Sequence, residues 1–212
     1  GGEVYIPGGN FELAAGDVIS FIAPVRDGRK FLKRNGFHTH QVKSCIIVGG
    51  GRAAYYLGKR LIELGISVQI VENKKERCEE LSVLLPQAIV VNGDGTSEEL
   101  LNEIGITTTE SLVPLTGIDE ENIMLTLYAK EVSDAKVVTK INRITYTGVI
   151  DQLDLGSVVY PKYITSEAII AFVRSKTATM NNNIETMIHL FDERVEAIEF
   201  VVGDQSPVVN VP

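Results

Sequence analysis

The sequence predicts an α/β chain built around a doubly wound parallel sheet, and three observations lead there. From Ser44 onward, short Val- and Ile-rich runs alternate with stretches of helical periodicity. These runs are apolar without interruption, as strands covered by helices on both faces must be. The first of them runs into a glycine turn that opens a helix.

Taken in order, residues 4–7 and 17–24 read as two short strands, the second carrying Val18, Ile19, Phe21 and Ile22. Residues 26–34 read as a short helix ended by Gly36. Two strands and one helix in about 36 residues cannot enclose a core, so this piece is expected to pack on something else or to be the tail of an earlier domain. Residues 37–43, polar and holding His38 and His40, read as a linker. Strands are then predicted at 45–48, 67–71, 88–91, 111–115, 136–139 and 157–160. Between them, Leu57, Leu61 and Leu64 mark one helix face, and Cys78, Leu81 and Leu85 mark another. Leu100, Leu101 and Ile104 mark a third over residues 97–104, and Ile123 with Leu127 a fourth. After Pro161 a helix over residues 165–176 shows Ile169, Phe172 and Val173 on one side. Beyond the polar break at Asn181, Asn182 and Asn183, the alternation of Ile184, Thr186, Ile188 and Leu190 gives a strand. Asp192 and Glu193 then turn the chain into a second strand over 196–202.

Bulk composition narrows the function. At 212 residues, 44% hydrophobic and 23% charged, the chain has the make-up of a folded globular protein with one principal domain and appendages. A formal charge of −8, with no run of Lys and Arg to offset it, argues against a DNA or RNA partner. The apolar stretches fall short of the roughly 20 residues that span a bilayer, so no direct membrane insertion is expected. Cys45 and Cys78 lack metal or redox spacing and read as reduced, packed thiols of a cytosolic protein.

Most of the chemistry is expected at the glycine turn, Gly49-Gly50-Gly51-Arg52-Ala53-Ala54. Gly49 allows the tight turn, Gly51 lets a pyrophosphate approach the backbone, and Ala54 takes the place of a third glycine where the helix lies close to the strand. Free N–H groups at the helix start would face the phosphates, with Arg52 reaching back over them. Glu72 closes the second strand 23 residues after Gly49, beside Asn73. A carboxylate there accepts from a ribose and repels the 2′-phosphate of NADP, which favours NAD(H) or the adenine nucleotides ATP and ADP. Asp94, after the third strand, would meet adenine or its ribose, unless it or Thr96 caps the next helix. Thr116 ends the fourth strand as a phosphate or nicotinamide neighbour, and Asp119 reads as a helix cap. Lys140, ending the fifth strand, would offset phosphate charge or simply stand in solvent. No catalytic residue is predicted, because His38, His40 and His189 all lie outside the strand ends where a dehydrogenase keeps its acid or base. A metal held by His38 and His40 is a weak alternative, with no Cys or carboxylate cluster to complete it.

The glycine turn, Glu72, Gly93-Asp94-Gly95-Thr96 and Thr116-Gly117-Ile118-Asp119-Glu120-Glu121-Asn122 together resemble the RCK (KTN, or TrkA-N) domain of Trk-type potassium uptake systems. The resemblance implies a Rossmann-like domain at residues 44–175, flanked by pieces of small α+β RCK C-terminal subdomains. Residues 1–36 would be the tail of one such subdomain, 37–43 a linker, and 182–212 the start of the next. It further implies a regulatory subunit rather than an enzyme, cytoplasmic and peripheral to the inner face of the membrane. As a homodimer or higher ring it would bind NAD(H), or alternatively ATP/ADP, and gate a membrane-embedded Trk/Ktr-type potassium channel or transporter. The helix at 165–176 would be the joint and dimer surface, or else cover its own sheet. An NAD-dependent oxidoreductase fragment without its substrate domain is the alternative.

Overall fold

A computed structural model of the chain describes residues 4–37, 41–143, 147–150, 152–178, 184–190, 195–200, 202 and 209. Two compact units emerge, residues 40–163 and residues 1–39 with 164–212.

In the larger unit six strands form one parallel sheet: β1 (Ser44–Val48), β2 (Ser67–Glu72), β3 (Ile89–Asn92), β4 (Ser111–Pro114), β5 (Lys136–Lys140) and β6 (Ser157–Val159). Their order is β3-β2-β1-β4-β5-β6. Successive side chains of a strand point to opposite faces, and β1 accordingly feeds two separate cores. Cys45 and Ile47 pack with Val68, Ile70, Ala54, Leu81 and Leu85, beneath α2 (Arg52–Glu63) and α3 (Lys75–Leu84). Ile46 and Val48 pack on the other face with Val71, Leu112, Leu101, Leu125 and Ala129, beneath α4 (Glu98–Glu103) and α5 (Asp119–Val132). The chain thus forms the Rossmann-like doubly wound sheet predicted from its unbroken apolar runs. A third cluster, Ile141, Ile150 and Leu155, lies around β6 and the short α6 (Thr147–Ile150), a helix too brief to register in the apolar periodicity.

Helix ends follow from local chemistry. Ser97 caps α4 by accepting from the Leu100 N–H. Glycines at positive φ, Gly65 and Gly105, close α2 and α4. Each turn is tied by a pair of backbone bonds, Gly65 N–H to Ile62 and Ile66 N–H to Leu61, then Gly105 N–H to Asn102 and Ile106 N–H to Leu101. Without a Cβ, glycine adopts this left-handed conformation at no steric cost.

The second unit contains α1 (Val25–Arg34), closed by Gly36 at positive φ, and the antiparallel pair β7 (Ile184–Leu190) and β8 (Val195–Phe200). The turn expected at Asp192 and Glu193 lies outside the described residues, as do His38 and His40. The strands expected at 4–7 and 17–24 are not formed. Residues 4–24 hold neither helix nor strand, and Val18 and Ile22 are 90% and 85% exposed. A strand exists by hydrogen bonding to a neighbour, and among the described residues this segment closes local turns such as Phe11 N–H to Gly8 and Asp17 N–H to Ala14. The helix read at 165–176 is longer, α7 (Pro161–Ala178). Pro161 stands at its first position, where a missing N–H costs nothing. Its opening residues cluster with the larger unit and the rest with the smaller one.

Ile70 is fully buried at the centre of one sheet face. Ile70→Ala is expected to lower unfolding free energy in urea by about 2 to 5 kcal/mol; a loss under about 1 kcal/mol would show that the side chain is not part of a packed core.

Candidate functional site

At the carboxyl ends of the parallel strands lies a cleft of about 690 Å³. It opens where the order reverses between β1 and β4, the place such sheets bind ligands. Of the residues singled out by sequence, Gly49, Gly50, Gly51, Glu72, Asn73, Asp94, Thr116 and Lys140 line it. The side chains of Arg52 and Ala53 do not. Both are exposed on the first turn of α2.

Each glycine of the turn has its own constraint. Gly49 adopts φ 101°, and a Cβ there would stand 3.0 Å from the Leu115 carbonyl and the Thr116 nitrogen. At Gly50 a Cβ would come within 2.9 Å of Leu81 and Glu72 side-chain atoms. Around Gly51 nothing lies within 4 Å of that position, so a side chain there would occupy the cleft itself. Gly49 N–H donates to Val71 O and Gly50 N–H to a Glu72 carboxylate oxygen, while among the described residues Gly51 N–H has no acceptor. Gly51 is the N-cap of α2, which has no side-chain cap, leaving the turn with unspent donors at the positive end of the helix dipole.

Glu72 is held rigidly. Oε2 accepts from Gly50 N–H at 2.7 Å and Oε1 from Lys74 N–H at 2.8 Å. A carboxylate has about four acceptor sites, so each oxygen keeps room for a ligand hydroxyl. Asp94 accepts from both Thr96 N–H and Thr96 Oγ1, and these bonds, the backbone one foremost, hold its pKa below the ordinary value. The capping alternative for Asp94 or Thr96 fails because Ser97 takes that role.

On the far wall, Asn122 is fully buried and gathers three segments. Its Oδ1 accepts from Thr116 N–H, and its Nδ2 donates to the carbonyls of Thr116 and Lys140. Thr116 Oγ1 bonds within its own turn, to Ile118. Asp119, expected to cap α5, instead accepts from Asn142 N–H, Asn142 Nδ2 and Arg143 N–H, fastening the loop that leaves β5. Lys140 Nζ donates to Leu115 O and is partly withdrawn from solvent, so burial lowers its pKa while the nearby Asp119 carboxylate partly restores it.

Lys74 and Arg77 also line the cleft, though no motif spacing points to them, as does Glu121 of the Thr116–Asn122 motif, which has no expected role of its own. Arg77 is the most engaged: Nε donates to Gly50 O at 2.7 Å and Nη1 to Glu80 at 2.6 Å. Cys45 and Cys78 are both free and buried, with Cys78 Sγ near the Glu72 carbonyl. Among the described residues no group of three or more His, Cys, Asp or Glu side chains is placed to hold a metal. None of the described helices is long and apolar enough to cross a membrane.

A family model, the TrkA-N domain, matches residues 45–161. Over 99% of its length the chain is 27% identical to the Trk system potassium uptake protein trkA homolog 1 of Methanosarcina mazei, covering 50% of that protein. The chain spans about half the length of the curated relatives it matches. Among solved structures, the TrkA-N domain of the inner membrane protein ybaL from Escherichia coli is similar with a TM-score of 0.56 at 17% identity, over 64% of this chain and 99% of that one. A GsuK channel bound to NAD is similar with a TM-score of 0.50 at 14% identity, over 78% of this chain and 29% of that one. At such identities the likeness is one of fold.

The environment of Lys140 sets a pH signature. Between its lowered folded pKa and the ordinary 10.5, the unfolded chain keeps a proton on Lys140 that the folded chain has released, so the contribution of Lys140 to stability rises with pH across that window. Below the window both states are protonated and the burial cost is constant. In Lys140→Met the rise is expected to vanish, as read from denaturation midpoints along the alkaline limb; an unchanged slope would show that Lys140 is as solvated folded as unfolded.

Proposed function

The chain belongs to the TrkA-N domain family, and on that premise we propose that it is a nucleotide-binding regulatory unit of a potassium uptake system. The observation that carries the reading is the glycine turn, where an unspent Gly51 N–H and an open cradle in place of a Cβ stand beside the fixed carboxylate of Glu72. A diphosphate fits the first, and an unsubstituted ribose diol fits the second. NAD(H) has both features and ADP or ATP share them, whereas the extra phosphate of NADP would meet the Glu72 charge. The NAD carried by a channel of the same fold supports this choice.

Regulation follows if the nucleotide binds one conformation better than another, since only differential affinity shifts an equilibrium. The Trk names of the relatives support a membrane-embedded potassium channel or transporter as the partner, with this chain on the cytoplasmic side. Residues 1–36 and 182–212 serve as portions of small subdomains flanking a nucleotide domain at 44–175, and the working assembly is a homodimer or larger ring. The chain regulates and does not catalyse.

Calorimetric titration with NAD, NADH, ADP and ATP is expected to give saturable binding with at least one of them, and silence from all four would remove the proposal. Glu72→Ala is expected to weaken NADH binding about tenfold or more, since a hydrogen bond to a charged group contributes roughly 1.5 to 3 kcal/mol. Unchanged affinity would contradict the ribose assignment.

A further inference from the structure

Gly50 is gripped at both of its backbone polar groups by opposite charges. Its N–H donates to Glu72 Oε2 at 2.7 Å and its carbonyl accepts from Arg77 Nε at 2.7 Å. Arg77 reaches this carbonyl from α3, 27 residues along the chain, and its own position is set by Nη1 on Glu80. Its Nη2 stands 3.5 Å from the Gly51 carbonyl. The side chain is only 23% exposed. A surface arginine pairing with Glu80 alone would have no need to point its Nε at a backbone carbonyl of another element.

We propose that Arg77 is a positioning residue for the diphosphate: by holding the Gly50 carbonyl toward α3, it turns the N–H at the other end of the same peptide unit, that of Gly51, into the cleft. A trans peptide places N–H and C=O on opposite sides of a rigid plane, so fixing the Gly50 carbonyl fixes the direction of the Gly51 N–H, which has no acceptor of its own among the described residues. Gly50 and Gly51 have no side chains to restrict their dihedrals, and without the Arg77 anchor this peptide plane is free to rotate. Preorganised donors bind an anion without first being ordered. The flat guanidinium fork suits the task, because it offers several donors in one fixed geometry where an ammonium offers a single swivelling point. Glu72 and Arg77 thus hold the two successive peptide units that meet at Gly50, Glu72 the one beside the sugar subsite and Arg77 the one whose N–H faces the phosphate subsite.

This inference rests on the nucleotide reading above, and its test separates the two. The full wild-type chain, Arg77→Gln and Arg77→Lys are titrated with ADP and with adenosine, following backbone amide signals by NMR. In the wild type ADP is expected to shift the Gly51 amide. In Arg77→Gln, ADP affinity falls about tenfold, the size of one lost charge-assisted bond, adenosine affinity is unchanged, and the Gly51 amide no longer responds. Arg77→Lys keeps the charge but is expected to recover little. Full recovery by lysine, or equal losses for ADP and adenosine, would overturn the positioning role. A wild type that binds ADP with an Arg77→Gln that binds it equally well sinks only this inference, whereas a wild type deaf to ADP and to NADH sinks the nucleotide reading with it. Should Arg77→Gln not fold, the wild type still decides: an anchored Nε–H exchanges slowly with water, and fast exchange counts against the anchor.

Discussion

A strand with no solvent face has nowhere to place a polar side chain, and β1 is such a strand. Cys45, Ile46, Ile47 and Val48 are all at most 2% exposed, alternating between two cores. This constraint forces helices onto both sides of the sheet, and with them right-handed crossovers long enough to keep every strand parallel. It also dictates where polarity can gather. Everything that bonds to a ligand must sit beyond the last buried residue, at the carboxyl ends of the strands, and Val48 hands the chain directly to Gly49.

The cleft is correspondingly a place where backbone meets the ligand and side chains hold the backbone. Gly49 turns against Leu115, Gly50 is trapped between Leu81, Glu72 and Arg77, and only Gly51 faces open space. On the opposite wall Asn122 and Asp119 spend their side chains on main-chain atoms of Thr116, Lys140, Asn142 and Arg143. Such charge-assisted and amide bonds to backbone rigidify the loops that leave the fourth and fifth strands. Rigidity at a binding site reduces the ordering cost of association.

Much of this was legible in the sequence because its causes are local. Each of the six strands lies within about a residue or two of its expected bounds, since continuous Val/Ile runs flanked by helical periodicity have few other solutions. The glycine turn, Glu72 and the strand-end residues Asp94, Thr116 and Lys140 were legible as cleft residues because chain direction alone carries them to one sheet edge. Other features required contacts across sequence. Alternation in residues 17–24 suggests a strand, but pairing needs a neighbour that the spacing does not supply. Asp119 looks like a cap from its place at the start of α5, yet its partners are 23 and 24 residues away. The link from Arg77 to Gly50 depends on how α3 lies against the turn, and no pattern of residue types encodes that tilt.

The Asn122 amide gives with one end and takes with the other, satisfying an N–H and two carbonyls in a site sealed from water. Aspartate is nearly the same shape but offers only acceptors when ionised, so exchanging nitrogen for oxygen would set two carbonyl lone pairs against a third. Leucine would fit the volume and abandon all three partners. The far wall therefore calls at this point for a short side chain that both gives and takes, and losing the amide nitrogen alone would loosen the seam between the fourth and fifth strands from within.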